Sequence, residues 1–156
     1  MNHDITVFVR EKFREMRDDF ENLPIGWPGE IKTKDLVQRA RGLFIYASTA
    51  CLFIRGARDL FDFRLAKILS SSSILNGGPE KQLDNIYITV LRDSIRTNEP
   101  DEREVLYSRL KCILGSIVIL FSPLSVYYLG ILLNVTNMDV KQALWNLHTI
   151  LDIPKD

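Results

Sequence analysis

Histidine and cysteine are scarce in this chain, two of each in 156 residues. His3, His148, Cys51 and Cys112 lie far apart in sequence and make no zinc-ligand spacing. No metal site is therefore expected. Both cysteines sit in apolar helical patterns, which predicts buried free thiols; a Cys51–Cys112 disulfide would need a geometry the sequence does not specify. An excess of charge of one sign is also missing. Twenty basic residues balance twenty acidic ones, so no field steers the chain onto nucleic acid or an anionic membrane. The same neutrality removes a guard against self-association. Met1-Asn2-His3-Asp4 provides no basic flank ahead of an apolar run, so no secretory signal is expected and a reducing, cytoplasmic compartment is favoured.

Catalytic motifs are missing as well. A phosphate-binding loop needs Gly, four residues, then Gly-Lys-Ser/Thr, because its amides, lysine and hydroxyl share the work of holding phosphate and magnesium. Gly77-Gly78-Pro79-Glu80-Lys81 is only superficially similar: Pro79 has no amide hydrogen and no hydroxyl follows Lys81. Asp18-Asp19 falls in a helical pattern and reads as a solvated pair, not as the acids that end a nucleotide-binding strand. A serine or cysteine nucleophile requires a base in reach, yet His3 is at a terminus and His148 lies in an amphipathic helical stretch. There is no Gly-x-Ser-x-Gly elbow. The chain is not expected to be an enzyme.

What is present is helix. Hydrophobic residues make up 46% of the chain and charged residues 26%, a composition that supports a packed core. Ile5, Phe8, Val9, Phe13, Met16 and Phe20 recur at three- and four-residue spacing, with Asp4 placed to cap the helix. Pro24, Gly26, Pro28 and Gly29 then make a loop in which Trp27 is expected to anchor against a neighbouring surface. A short helix follows over about Glu30–Ala40, with Gly42 at a left-handed cap position. Leu43–Ile54 is apolar nearly all round and should be buried on several sides. Leu60–Leu69 reads as a further helix. The runs Ser70-Ser71-Ser72-Ser73 and Asn76-Gly77-Gly78-Pro79 are the best linker in the chain. Beyond it, Leu83, Ile86, Tyr87, Val90, Leu91 and Ile95 form a helical stripe. After Pro100, Asp101, Glu102 and Glu104 suit a first turn, and Val105, Leu106, Leu110, Ile113, Leu114, Ile117 and Val118 continue inward. Val126–Leu133 and Asp139 to about Ile150 read as the last helices, and Leu151-Asp152-Ile153-Pro154 as the start of a strand. Arg39, Arg41, Arg55 and Arg58 form a modest basic cluster, read either as a solvated rim with local ion pairs or as a contact for nucleotide phosphate or an adjacent domain.

No charged residue falls between Lys111 and Asp139. Ile113–Leu133 is long enough to span a bilayer, which makes membrane anchoring a rival reading. Ser122-Pro123-Leu124-Ser125 cuts the run in the middle, Ser125 suits a helix N-cap, and no basic cluster flanks it beyond Arg109 and Lys111. Two core helices joined by a tight turn are expected instead.

The run Gly42-Leu43-Phe44-Ile45-Tyr46-Ala47-Ser48-Thr49-Ala50-Cys51-Leu52-Phe53-Ile54-Arg55 carries a resemblance. With Leu23-Pro24-Ile25-Gly26-Trp27-Pro28 before it and Leu144-Trp145-Asn146-Leu147-His148 near the end, it resembles the region after the nucleotide-binding core of fungal NACHT-type STAND NTPases, of the NOD-like class. The resemblance implies an all-α fold, a multi-helix bundle made of a small helical domain followed by an incomplete winged-helix domain. Residues 1–22 would be the last helix of the NTPase core, 23–80 the small helical domain, and 81–156 a winged-helix-like domain that stops before the wing. It implies a non-catalytic regulatory fragment of the kind used in fungal non-self recognition and cell-death signalling. Its partners would be protein, either a NACHT core or homologous chains, with self-association included and nucleic acid excluded. The alternative is the lid and winged-helix part of a working ATP/ADP switch whose P-loop core is encoded upstream. ATP or ADP would be a cofactor only with such a core, and Gly42, Leu43 and Phe44 would then lie on the adenine side. There Phe44 stands where many relatives have a proline. The histidine that reaches the nucleotide in many relatives would fall after Asp156, so His148 is not that residue.

Overall fold

A computed structural model describes residues 2–56, 60–70, 78–95, 97, 99–145 and 147–151. The linker serines and glycines at 71–77, Arg58 and the strand expected from 152 lie outside these residues. The described chain is all-helical: α1 (Asn2–Asp19), α2 (Glu30–Ala40), α3 (Phe44–Arg55), α4 (Phe61–Ser70), α5 (Pro79–Ser94), α6 (Pro100–Ile119), α7 (Val126–Leu133) and α8 (Asn137–Trp145). Two compact units divide within α5, at Thr89 and Val90.

In the first unit, α1 packs on α2 and α3, and α4 packs on α2 and α3. The α1 stripe Ile5, Val9, Phe13 and Met16 is buried as its spacing requires. The helix begins ahead of Asp4, which lies within its first turn and does not cap it. Glu11–Arg14 and Lys12–Glu15 pairs line its outer side. Arg14 draws the Glu11 carboxyl below its usual range, chiefly by hydrogen bonding.

Trp27 closes the loop between α1 and α2. Its indole is 6% exposed. The ring meets Phe13 edge-on at 5.3 Å and Phe61 at 5.9 Å, and Phe20 stacks on Phe61 at 4.7 Å. Indole Nε1 donates to Asp62 Oδ1 at 3.1 Å, and the Trp27 carbonyl accepts from Arg17 Nη1 at 2.6 Å. Lys32 Nζ donates to the same Asp62 oxygen at 2.9 Å. The Trp27–Pro28 peptide is cis. One residue thus ties the loop to α1 and α4, as its place among prolines and glycines suggests.

Two successive left-handed residues reverse the chain after α2. Arg41 is the cap at φ 46°, and Gly42 follows at φ 84°. Gly42 was expected in the cap itself; Arg41 takes that strained position, and glycine the next one.

Helix α3 buries Tyr46, Ala47, Thr49, Ala50, Cys51, Phe53 and Ile54 among α1, α2 and α4. Its small residues permit that close approach. Enclosure is incomplete, because Phe44, Ile45 and Leu52 are each about half exposed. Arg64 lies over the Phe53 ring at 4.5 Å and donates to the Phe53 carbonyl at 2.6 Å.

The second unit is built on α6, α7 and α8, each packed on the other two. Pro100 opens α6, where its missing N–H costs nothing, and Asp101 and Glu102 favour the positive helix end. Leu120 to Ser125 separates α6 from α7, so 113–133 is not one helix. Among the described residues no helix is long and apolar enough to cross a membrane. Among the described residues of this unit, Val90, Leu110, Ile113, Leu129, Val140, Leu144 and Leu147 are the buried apolar side chains.

Candidate functional site

The second unit combines tight internal joints with an uncovered apolar surface. Ser125 caps α7, its hydroxyl accepting the Tyr128 N–H at 3.4 Å. Inward, α7 buries Leu129 and Gly130. Asn134, at φ 52°, reverses the chain, and the Val135 N–H donates to the Gly130 carbonyl at 3.0 Å. Thr136 and Asp139 then form a reciprocal cap for α8. The Thr136 N–H and hydroxyl donate to Asp139 Oδ2 at 3.2 and 2.8 Å, and the Asp139 N–H donates to Thr136 Oγ1 at 3.1 Å. The last helix therefore starts at Asn137, two residues before the expected Asp139, and ends at Trp145, where Ile150 was expected. Arg109 Nη1 reaches Asp139 Oδ1 at 2.9 Å and ties α8 to α6. The Thr136 bonds hold the Asp139 carboxyl below its ordinary range, with help from Arg109.

An open groove of about 390 Å³ runs between α6 and the α7–α8 reversal. Its walls are Glu104, Val105, Ser108, Arg109, Cys112, Ile113, Leu133 and Val135. Cys112 is exposed here, against the expectation of burial. The buried stripe of α6 runs through Leu110 and Ile113, and position 112 turns away from it.

Outside the groove lies the more unusual surface. Leu124, just ahead of α7, and Tyr127, Tyr128 and Ile131 on its outer side recur at three- and four-residue spacing and are 41 to 61% exposed. The Tyr127 and Tyr128 rings meet at 5.4 Å. At the end of α6, Val118 and Ile119 are 83 and 78% exposed, and Phe121 just beyond it is fully exposed. The sequence reads Val105, Ile117 and Val118 as inward and Val126–Leu133 as one of two core helices; Val105, Ile117, Val118 and much of α7 are exposed instead. An apolar run does not say whether its face meets the molecule's own interior or something else.

The residues singled out beforehand are distributed otherwise. Gly42, Leu43 and Phe44 share one turn at the start of α3, in the first unit. The Phe44 ring is half exposed and lies 4.5 Å from Phe8. Arg39 pairs with Asp35 at 2.8 Å, and Arg55 with Asp19 at 2.7 Å. Two members of the basic cluster are thus engaged in local ion pairs. Cys51 is buried, and that burial pushes its thiol up to about 12, leaving it protonated and unreactive at neutral pH. His148 Nδ1 lies 2.6 Å from the Trp145 carbonyl. Among the described residues no group of three or more His, Cys, Asp or Glu side chains is arranged to hold a metal ion.

The second unit thus presents an apolar surface on helices joined by caps and, among the described residues, by the Arg109–Asp139 pair. Comparison with protein-family models, curated proteins and solved structures returns no match.

Proposed function

We propose that this chain is a non-catalytic helical docking module, of the kind that follows the nucleotide-binding core in fungal NACHT-type STAND NTPases and serves their signalling. The observation that carries the docking reading is the exposed outer face of α7 with the end of α6. The family reading rests on the quoted motifs and on the order of the packed helices α1–α4 before the packed helices α6–α8. On that reading α6–α8 are the helices of a winged-helix-like domain, and its partner is a NACHT core or a homologous chain. Two unpaired cysteines accord with a reducing cytoplasm. Gly42, Leu43 and Phe44 would touch adenine only beside an NTPase core.

Two measurements test this. Purified chain with magnesium and ATP is expected to release no phosphate above buffer; magnesium-dependent turnover would overturn the non-catalytic reading. Tyrosine nitration tests the face, with buried Tyr46 as the internal unreactive control. Tyr127 and Tyr128 are expected to react readily in monomeric chain. Protection equal to that of Tyr46 in a monomer would mean that the chain covers the face itself, and docking would fail.

A further inference from the structure

We propose that the partner on the outer face of α7 is a second copy of this chain, an inference that rests on the docking reading above. Area is the first argument. Aromatic side chains carry about 150–250 Å² each, so Phe121, Tyr127 and Tyr128, exposed by 107, 58 and 61%, present on the order of 450 Å². Val118, Ile119, Leu124, Ile131 and Leu132, all between 41 and 83% exposed, bring the total to roughly 1,000 Å². The largest apolar patch on an ordinary monomer is about 300–600 Å². A stable complex buries about 800 Å² on each partner. Summed over the end of α6, the turn after it and α7, this exposure is of the order that one partner buries in a dimer.

Charge is the second argument. A two-fold interface places the same patch on both sides, so any charge within it meets a like charge. The stretch from Cys112 to Met138 contains no Asp, Glu, Lys or Arg. Such a surface can face its own copy without repulsion, in a chain whose net charge is zero. Geometry is the third. Tyr127, Tyr128 and Ile131 share the face that one helix presents to another, and Leu124 extends it just ahead of α7. Each tyrosine adds a rigid apolar ring with a hydroxyl that can stay wet at the rim. An amphipathic membrane helix would instead carry Lys or Arg on its polar side, and α7 carries neither.

Sedimentation velocity on the full chain, from micromolar to several hundred micromolar, tests the proposal. Wild type is expected to move from monomer to dimer with concentration. Ile131→Glu and Tyr128→Glu each should raise the dimer dissociation constant at least about ten-fold, with an unchanged helical circular dichroism spectrum. Ile31→Glu, at an exposed apolar site on α2 (87% exposed), should leave it unchanged. Because a glutamate variant can lose its fold, protection of wild-type Tyr127 and Tyr128 from nitration on dimerisation is a second readout. Wild type that stays monomeric throughout, or Ile131→Glu and Tyr128→Glu variants that still dimerise, overturns the proposal. A monomer with reactive tyrosines refutes the second copy but retains docking; a monomer with protected tyrosines refutes both. A monomer that floats with phosphatidylcholine vesicles assigns the face to lipid and also overturns the proposal.

Discussion

Replacing Trp27 with alanine removes a side chain that joins the α1–α2 loop to both α1 and α4. The indole is 6% exposed and touches the rings of Phe13 and Phe61. Loss of a buried Trp costs about 3–5 kcal/mol, in transfer energy and in the cavity left behind. Its edge-on aromatic contacts belong to that total, at about 0.5–1.5 kcal/mol each. The hydrogen bond to Asp62 adds little, because that carboxylate is mostly in water. The site is a loop at the rim of the unit, so part of the cavity can collapse or fill with water. A loss of about 3 kcal/mol is therefore expected, out of a total of about 5–15 kcal/mol for a domain. Urea titration followed by circular dichroism measures it. A Trp145→Phe background leaves Trp27 as the sole tryptophan, and its emission then reports the first unit alone. Trp27→Phe keeps the ring contacts and should lose only about 1 kcal/mol. If Trp27→Ala costs less than about 1 kcal/mol, the loop is not anchored as described and the reasoning fails.

Other expectations follow from particular contacts. Gly115→Ala in α6 should raise thermal stability by about 0.8–1 kcal/mol, because nothing lies within 4 Å of the added methyl and alanine favours helix. Gly130→Ala has the same propensity gain and should still lower stability, because its methyl would stand 2.8 Å from Asn137 Oδ1 and 3.0 Å from the Val135 carbonyl. Equal melting shifts for the two variants would refute that contrast. Thr136→Ala should cost roughly 0.5–2 kcal/mol in chemical denaturation by removing the α8 cap. Asp62 is held below its usual 3.8, first by the hydrogen bond from Lys32 and then by that from Trp27. Its contribution is fully present above that usual value and is lost as pH falls through the lower folded value. Asp62→Asn should therefore reduce the acid dependence of the first unit's melting temperature as pH falls below the usual 3.8; an unchanged slope would refute the assignment.

Helix positions were legible in the sequence because apolar spacing and Pro, Gly and Ser punctuation agreed. The Pro24–Gly29 loop, the break at Ser122-Pro123 and the start of α6 all followed from residues that cannot continue or begin a helix otherwise. Helix ends were less legible. Thr136 and Asp139 are three residues apart in an uncharged context, and only their reciprocal hydrogen bonds identify them as the cap. Burial was legible where one stripe dominates, as in Ile5, Val9, Phe13 and Met16, and not where a helix is apolar all round. In α7, Leu129 and Ile131 are comparably apolar in sequence, yet one is buried and the other 61% exposed. Which side of such a helix faces inward is decided by the tertiary approach at Gly130, and that information lies in α8.

The two units differ in how they hold their reporter residues. The first encloses one cysteine and one tryptophan, Cys51 and Trp27, while the second leaves Cys112 and Trp145 in solvent. Opening of the first unit can therefore be followed in the unaltered chain. A thiol reagent consumes Cys112 at its intrinsic rate, and Cys51 only at the rate at which the first unit opens. The slow phase of such a reaction reports breathing of the first unit, running beside an indole on the second unit whose emission colour changes when something covers it.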